Sequence, residues 1–173
     1  MKRILIALLL VACLFASVGC ANTDPTPDGM QNVALESAKY NLYVPKAWIP
    51  SSYNISGAKA TAEENAPNVI VTVHYPDGEV SAATYWSEYC VPEHTAVFTG
   101  FTLIEDGTDL TLGGKDAKAY KFSYTFGDTL YQCRQVIAVY DFNVYVLTYT
   151  AISTAYDTYA AEVDSIVSSF TFK

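Results

Sequence analysis

The alternation of apolar and polar residues predicts a domain built mainly from β-strands. Residues 40–44 alternate between apolar and polar side chains, as a half-buried strand does, and Pro45 ends the run. Residues 69–73 are almost continuously apolar, which predicts a strand covered on both faces and closed by the turn residues 76–78. Further strands account for most of residues 96–152, with one turn at Gly113-Gly114 and another at residues 141–143.

Two other segments have the apolar spacing of a helix. In residues 81–91 the apolar side chains follow helical spacing, Ser81 is positioned to cap the helix, and Pro92 is expected to stop it. Residues 155–168 repeat the helical spacing, and Thr154 with Asp157 has the spacing of a capping box. Because the central strands are apolar on both faces, the two helices are placed on opposite sides of the sheet. The predicted fold class is α+β, a three-layer α/β/α sandwich around a mainly antiparallel central sheet.

The first residues have the composition of an export signal. A positive start, Met1-Lys2-Arg3, precedes an apolar run over residues 4–18, as in a secretory signal peptide. This run is shorter than the roughly 20 apolar residues that a membrane-spanning helix needs. Residues 1–19 are therefore predicted to direct export and to be removed.

A cysteine stands at the end of this leader. The small residues 17–19 before Cys20 resemble the bacterial lipobox, in which such a cysteine is diacylated and becomes the mature N-terminus. The resemblance implies a lipid anchor at Cys20, and two acyl chains suffice for stable anchoring. Residues 20–37 are polar and marked by proline and glycine, which predicts a flexible tether. Residues 38–173 have the size of a single domain.

Two other processing sites stay open. Cys13 follows Leu10-Val11-Ala12, which is a closer literal match to the lipobox but leaves an apolar region of residues 4–9 only. Ordinary cleavage near Ala21 would instead release a soluble protein. All three alternatives predict an exported protein that faces away from the cytoplasm.

The chain is acidic, with a formal net charge of −8 at pH 7. Loss of residues 1–19 removes Lys2 and Arg3 and no acid, so the mature charge changes from −8 to −10. This charge disfavours nucleic acid, whose binding depends largely on neutralising phosphates, and it is repelled by anionic lipid head groups. The predicted contact with the membrane is therefore the lipid on Cys20, and no nucleic-acid partner is expected.

Several structural motifs occur in a recognisable order. Residues 44–45, Val-Pro, are followed by Trp48, and later come GGKDAKAY at residues 113–120, QVIAVY at 135–140, and YVLTYTA at 145–151 before a helix that ends in SSF. In this order they resemble the PsbP-like group, which includes DcrB-type bacterial lipoproteins, over roughly residues 40–172. The resemblance implies an α/β/α sandwich and a non-enzymatic accessory or protein-binding role. It assigns no metal-binding or partner-binding residue.

The histidines and cysteines of the domain offer few chemical sites. Cys90 and Cys133 are the two cysteines of the domain, and outside the cytoplasm they are either bridged as a disulfide or buried as free thiols. His94 lies four residues after Cys90, the spacing at which a helix can present two metal ligands, but Pro92 between them argues against that geometry. His74 lies near the end of a predicted strand, where a lone histidine is usually hydrogen-bonded. No cofactor, metal site or enzymatic activity is predicted.

The acidic stretch Glu105, Asp106 and Asp109 raises the question of a calcium site. It lacks the ladder of ligands and the distal glutamate of an EF-hand loop, so an acidic turn between strands is the better interpretation. The sequence also lacks a nucleophile elbow, a phosphate-binding glycine loop and a recognisable catalytic triad.

Tyrosine is abundant, with 14 residues in the chain. Most are expected to be core, with a hydroxyl that reaches a partner at the rim, but several exposed together would form a recognition patch. Eight lie on the predicted central strands and last helix: Tyr120, Tyr124, Tyr131, Tyr140, Tyr145, Tyr149, Tyr156 and Tyr159.

Three functional hypotheses remain, in order of preference. The first is an anchored accessory module that binds another envelope or secreted protein; a closed core with one exposed aromatic patch would favour it. The alternative is a lipoprotein that binds a small ligand in an aromatic cleft lined by tyrosine, Trp48 or Trp86. An enzyme ranks third, because it would need a polar cleft that holds a histidine beside a carboxylate or Cys90.

Overall fold

The computed structural model describes residues 26–173. The predicted signal peptide, residues 1–19, and the predicted anchor at Cys20 lie outside these residues. Within the described range, no helix has both the length and the apolar composition needed to cross a membrane.

Eleven strands, three α-helices, one π-helical turn and one 3-10 turn form the described domain. The strands are β1 (Met30–Asn32), β2 (Tyr40–Asn41), β3 (Tyr43–Pro45), β4 (Ile49–Pro50), β5 (Ser56–Lys59), β6 (Asn68–His74), β7 (Thr99–Leu112), β8 (Lys115–Phe126), β9 (Thr129–Tyr140), β10 (Asn143–Ile152) and β11 (Thr171–Phe172). The helical segments are α1 (Ala82–Tyr85), a π-helical turn (Trp86–Cys90), α2 (Val91–Val97), a 3-10 turn (Tyr156–Tyr159) and α3 (Ala160–Ser169).

Seven of these strands form one antiparallel sheet in the order β4-β5-β6-β10-β9-β8-β7. The remaining four form two small sheets, β1 with β3 and β2 with β11. The α1–α2 helix packs on one face of the large sheet and α3 on the other, so each face has its own buried cluster. The predicted three-layer α/β/α sandwich is confirmed.

Alternation along the central strands divides the two cores. On β10, Val144 and Val146 contribute to the cluster under α1–α2, whereas Tyr145 and Leu147 contribute to the cluster under α3. Successive side chains of a strand point to opposite faces, so one continuously apolar strand serves both layers.

β6 departs from the prediction that both of its faces are covered. Val69 and Val71 are buried toward α3, but on the opposite face Ile70 is only half-buried and Thr72 is exposed. The buried residues under α1–α2 come from the helix and from β8, β9 and β10. Tyr85 of α1 contacts His74 at the end of β6, with ring centroids 5.5 Å apart, but Ile70 and Thr72 lie outside the buried cluster, so this part of the sheet stays open on that face.

The first helix continues past Pro92, where the sequence predicts its end. Ser81 caps α1 as predicted, since its hydroxyl oxygen accepts a backbone N–H of the first turn. A proline removes a hydrogen-bond donor and clashes with the carbonyl four residues back. The π-helical turn accommodates this defect, because the N–H of Val91 bonds to the carbonyl of Trp86, five residues back. Pro92 then falls in the first turn of α2, where proline is tolerated.

The C-terminal helix begins with a 3-10 turn, and no side chain caps either that turn or α3. The predicted capping box of Thr154 and Asp157 is therefore wrong. The turn is held instead by Tyr149, whose buried hydroxyl donates to the carbonyl oxygen of Tyr156 at 2.8 Å.

The folded domain starts earlier than residue 38. β1 pairs with β3, and the side-chain amide of Gln31 donates to the carbonyl oxygen of Trp48 at 2.7 Å. Val33 and Ala34 pack against the core under α3. The C-terminal part of the predicted tether, residues 30–37, is thus built into the domain through backbone pairing that its polar composition does not reveal.

Both predicted turns are present and use left-handed backbone conformations. Gly113 and Gly114 have φ of 58° and 73°, and Asp141 and Phe142 have φ of 50° and 61°. Two successive positive φ values fit the two-residue hairpin turn that matches strand twist. Phe142, 75% exposed, stands at the tip of the β9–β10 hairpin.

Candidate functional site

The two cysteines of the domain are free, buried thiols. Cys133 lies at hydrogen-bond distance from the hydroxyl of Thr150, with the sulfur and oxygen 3.3 Å apart. The disulfide that the sequence left open is not formed in the structure. Burial raises the pKa of Cys90 to about 12 and that of Cys133 to about 11. Because the thiolate is the nucleophile, neither residue has the environment of a reactive cysteine.

We expect Cys90 and Cys133 to resist alkylation by iodoacetamide in the native protein at mildly alkaline pH. Raised pKa values keep both thiols protonated there, and burial keeps the reagent away. Mass spectrometry of peptides from native and from denatured protein measures the labelling, with the denatured sample as the control. Rapid labelling of either residue in the native protein would contradict this prediction.

His94 has a structural role in the cluster under α1–α2. Its Nε2 lies 3.0 Å from the side-chain oxygen of Gln135, and the Gln135 amide nitrogen donates to the hydroxyl of Thr148 at 3.2 Å. Gln135 therefore accepts from His94, and the pair is satisfied within the fold. The rings of Phe98 and Phe122 flank the imidazole. Among residues 26–173, no three histidine, cysteine or acidic side chains are grouped to hold a metal ion.

The other histidine and the acidic stretch are at the surface. His74 is exposed, bonds to the hydroxyl of Thr72 at 2.9 Å, and has its pKa lowered by partial burial. The acidic stretch is a bulged part of the edge strand β7 rather than a turn between strands. Asp109 there pairs with Lys118 at 2.6 Å. These positions therefore carry surface charge on a strand.

Most aromatic residues are core, as the sequence predicts. Trp48 and Trp86 are only 2% and 3% exposed, so neither lines an open cleft. Four of the eight tyrosines considered above are buried and four are half-buried: Tyr120, Tyr145, Tyr149 and Tyr156 in the first group, and Tyr124, Tyr131, Tyr140 and Tyr159 in the second. Two of the half-buried tyrosines, Tyr124 and Tyr131, lie side by side.

These two tyrosines belong to a stack of three nearly parallel rings. Tyr124 lies 4.1 Å from Phe98 and 5.4 Å from Tyr131, measured between ring centroids, with interplanar angles of 15° and 14°. The β8–β9 register places Tyr124 directly opposite Tyr131. Phe98, the residue that follows α2, completes the stack. Burial raises the pKa of Tyr124 to about 12, so its hydroxyl stays neutral.

The stack lines an open cleft of about 380 Å³ at one end of the sheet. Phe126, which is 75% exposed, extends the aromatic wall, and the Tyr131 hydroxyl donates to the side-chain oxygen of Asn65 at 3.3 Å. We call this site the aromatic cleft, lined by Glu64, Asn65, Ala66, Asn68, Phe98, Tyr124, Phe126, Tyr131, Thr150 and Ala151.

A second cleft of about 490 Å³ adjoins the first. The two share Glu64, Ala66 and Asn68, so they form one continuous surface on either side of the loop between β5 and β6. We call the second site the edge cleft; its exposed apolar residues are Ile49, Tyr53 and Ile55. The loop is closed by a hydrogen bond from the Ala60 N–H to the Pro67 carbonyl, 2.7 Å long.

Glu64 supplies a carboxylate to both clefts, and Lys59 supplies an ammonium group to the edge cleft. Residues 26–173 contain two ion pairs, Lys118 with Asp109 and Arg134 with Asp164, and Glu64 belongs to neither. Lys59, the one basic residue that lines the edge cleft, donates to the carbonyl oxygens of the loop. The exposed carboxylate of Glu64 thus forms no ion pair with Lys59.

Sequence patterns alone do not reveal the aromatic cleft. Its members come from a loop, the end of α2 and a hairpin, and only the fold brings them together. One local signal was available, since Tyr124 and Tyr131 flank the turn at Gly127-Asp128 at distances that pair them across a hairpin.

Solved structures share this fold. LpqN of Mycobacterium tuberculosis, described as involved in cell envelope biogenesis, is 21% identical over 83% of this chain and 90% of its own, with a TM-score of 0.60. Cyanobacterial PsbP (CyanoP) of Synechocystis sp. PCC 6803 is 14% identical over 89% and 97%, with a TM-score of 0.61. The Ran-binding protein Mog1p of Saccharomyces cerevisiae is 10% identical over 83% and 95%, with a TM-score of 0.56.

These comparisons define the fold of the domain as PsbP-like, and they confirm the resemblance at that level. No protein-family model matches the sequence, and no curated protein sequence matches it significantly. What the domain binds must therefore be inferred from its own surface.

Proposed function

We propose that this chain is a lipid-anchored accessory protein of the cell envelope that binds another envelope or secreted protein. Residues 1–19 direct its export, the lipid on Cys20 holds it outside the cytoplasm, and the domain is non-enzymatic. The observation that carries the proposal is the aromatic cleft, an open patch of half-buried and exposed rings on a domain whose other large aromatic residues are mostly packed in its cores.

The composition of the cleft supports protein binding. Tyrosine and phenylalanine are enriched in protein interfaces, and an exposed ring such as that of Phe126 loses unfavourable contact with water when a partner covers it. Proteins with this fold include one described as involved in cell envelope biogenesis and one described as Ran-binding. The first description agrees with a place in the cell envelope, and the second with a domain that binds another protein.

A small-ligand site is the second candidate. The stacked rings and the neighbouring Asn65 amide offer the mixture of apolar and polar groups that ligand sites use. The cleft is open rather than enclosed, and Trp48 and Trp86 lie outside it, so it lacks the deep aromatic pocket that this alternative requires.

Photo-cross-linking in intact cells tests the proposed function. Benzoylphenylalanine replaces Phe126 in one version of the full chain and Phe142, equally exposed at the opposite end of the sheet, in the control. We expect one dominant protein adduct from position 126, none from position 142, and a weaker adduct after Cys20→Ala, which should also move the protein out of the membrane fraction. Equal adducts from both positions, or none from position 126, would contradict the proposal.

A further inference from the structure

We propose that the aromatic cleft takes a basic, extended segment of the partner protein, in which arginine or lysine side chains lie on the exposed rings and pair with Glu64. This inference rests on the proposed function and specifies the chemistry of its partner. It follows from three features of the described surface, namely ring geometry, unbalanced charge and shape.

Four aromatic rings line the cleft. Phe98, Tyr124 and Tyr131 are stacked within 15° of parallel, so a further planar group could extend the stack only at the ring at its end. Phe126 is exposed beside them. A guanidinium group is planar, weakly hydrated and attracted to the negative face of an aromatic ring, so arginine fits such a surface better than a carboxylate does.

Two lysines of the described chain lie over aromatic rings. Lys115 lies 4.8 Å from the ring centre of Tyr140, and Lys121 lies 4.5 Å from that of Tyr156. These are the cation–ring pairs within residues 26–173, and neither involves a ring of the aromatic cleft. The cleft combines exposed rings with the unpaired carboxylate of Glu64 and lacks a basic residue among its lining residues.

Long-range charge acts in the same direction. The formal net charge is −8, and the carboxylate of Glu64 belongs to no ion pair of the described chain. An acidic surface attracts basic segments and repels acidic ones, which affects the rate of association and the choice of partner. An anionic polymer is therefore a poor occupant of this cleft.

The shape indicates an extended segment. The aromatic cleft and the edge cleft join through Glu64, Ala66 and Asn68, so the apolar surface continues from Phe126 past the loop to Tyr53. Extended segments, including proline-rich ones, dock along aromatic-lined grooves and place successive side chains in neighbouring depressions. We therefore assign the aromatic cleft to the basic side chains and the edge cleft to an apolar side chain of the same segment.

Two synthetic peptides test this assignment. One consists of four proline–arginine repeats and the other of four proline–glutamate repeats, both capped at their ends; proline keeps each extended. Titration calorimetry on the full chain in a zwitterionic detergent measures affinity, and magnetic-resonance shifts locate the binding site. We expect the arginine peptide alone to bind, to shift the signals of Phe98, Tyr124 and Tyr131, and to lose affinity as salt is added.

Matched variants separate the cleft from the general acidity of the chain. Phe126→Ser and Glu64→Gln are each expected to weaken binding by about two- to fivefold, the range expected for an exposed cation–ring or charge contact. The controls are Phe142→Ser, which removes an equally exposed ring elsewhere, and Glu88→Gln, which removes an exposed unpaired carboxylate outside the cleft. These controls should change affinity by less than about twofold, within the scatter of surface substitutions.

Several results would overturn the inference. Equal binding of the glutamate peptide, equal weakening by the control variants, or shifts outside the cleft would each do so. Stronger perturbation of the same signals by an uncharged oligosaccharide such as chitotriose would assign the rings to sugar stacking instead. If the arginine peptide fails while the adduct at position 126 forms in cells, the partner chemistry is wrong and the proposed function stands; if both fail, the function fails as well.

Discussion

Gly113→Ala is expected to lower the free energy of unfolding by about 2–4 kcal/mol, which combines the cost of a left-handed alanine with that of overpacking. Gly113 has φ of 58° in the β7–β8 turn, and a Cβ there would lie 2.6 Å from the Phe172 ring and 3.2 Å from the Phe170 ring. Neither ring can move freely, since Phe172 also contacts Tyr140 and Tyr145. Chemical denaturation of the full chain measures the effect.

The neighbouring glycine provides the control. Gly114 has φ of 73° but no heavy atom within 4 Å of an added Cβ, so Gly114→Ala should cost only about 1 kcal/mol, the backbone part of the penalty. The difference between the two variants isolates the ring contact. Equal destabilisation by both substitutions would show that the packing of the C-terminal strand on this turn contributes little to stability.

The layers of the fold could be predicted because they depend on local patterns. The alternation along β8, β9 and β10, the Gly113-Gly114 turn and the helical spacing near both helices are short-range signals, and each is confirmed by the structure. A strand that is apolar on both faces predicts a covering layer on each face, even when the covering elements are not identified.

The errors arose where contacts distant in sequence, or backbone bonds alone, decide the structure. Pro92 has the local effect expected of proline, but Trp86 and His94 on either side of it both pack against Phe122 of the sheet, and the helix continues through a π-helical turn. Residues 30–37 are polar, and they join the domain through pairing with β3 and a hydrogen bond from Gln31. Neither interaction can be predicted from amino-acid composition.

The candidate site was less predictable than the fold. The sequence raised an exposed tyrosine patch as an alternative to core packing, but it could not separate the half-buried Tyr124 and Tyr131 from the buried tyrosines on the same strands. Their partial exposure depends on the end of α2, because Phe98, the residue after that helix, stacks on Tyr124. Whether a side chain at the edge of a covering helix is exposed depends on the assembled fold and cannot be read from local sequence.

The second large effect is expected at Glu162, in the first turn of α3. Trp48 is buried, and its indole N–H donates to the Glu162 carboxylate across the two segments. Glu162→Ala leaves that buried donor without its acceptor, which is expected to cost about 2–3 kcal/mol of the free energy of unfolding. Glu162→Gln keeps an acceptor oxygen in place and should cost about 1 kcal/mol or less, the smaller value of a neutral hydrogen bond.

A double-mutant cycle with Trp48→Phe tests whether this hydrogen bond is the cause. Trp48→Phe removes the donor and will be destabilising in its own right, because it also leaves a cavity in a packed core. Once the donor is gone, Glu162→Ala should have little further effect, and the coupling energy between the two positions should be at least about 1 kcal/mol. Additive effects in the cycle would mean that Glu162 acts through the charge of the helix terminus instead, and Glu162→Gln would then be as damaging as Glu162→Ala.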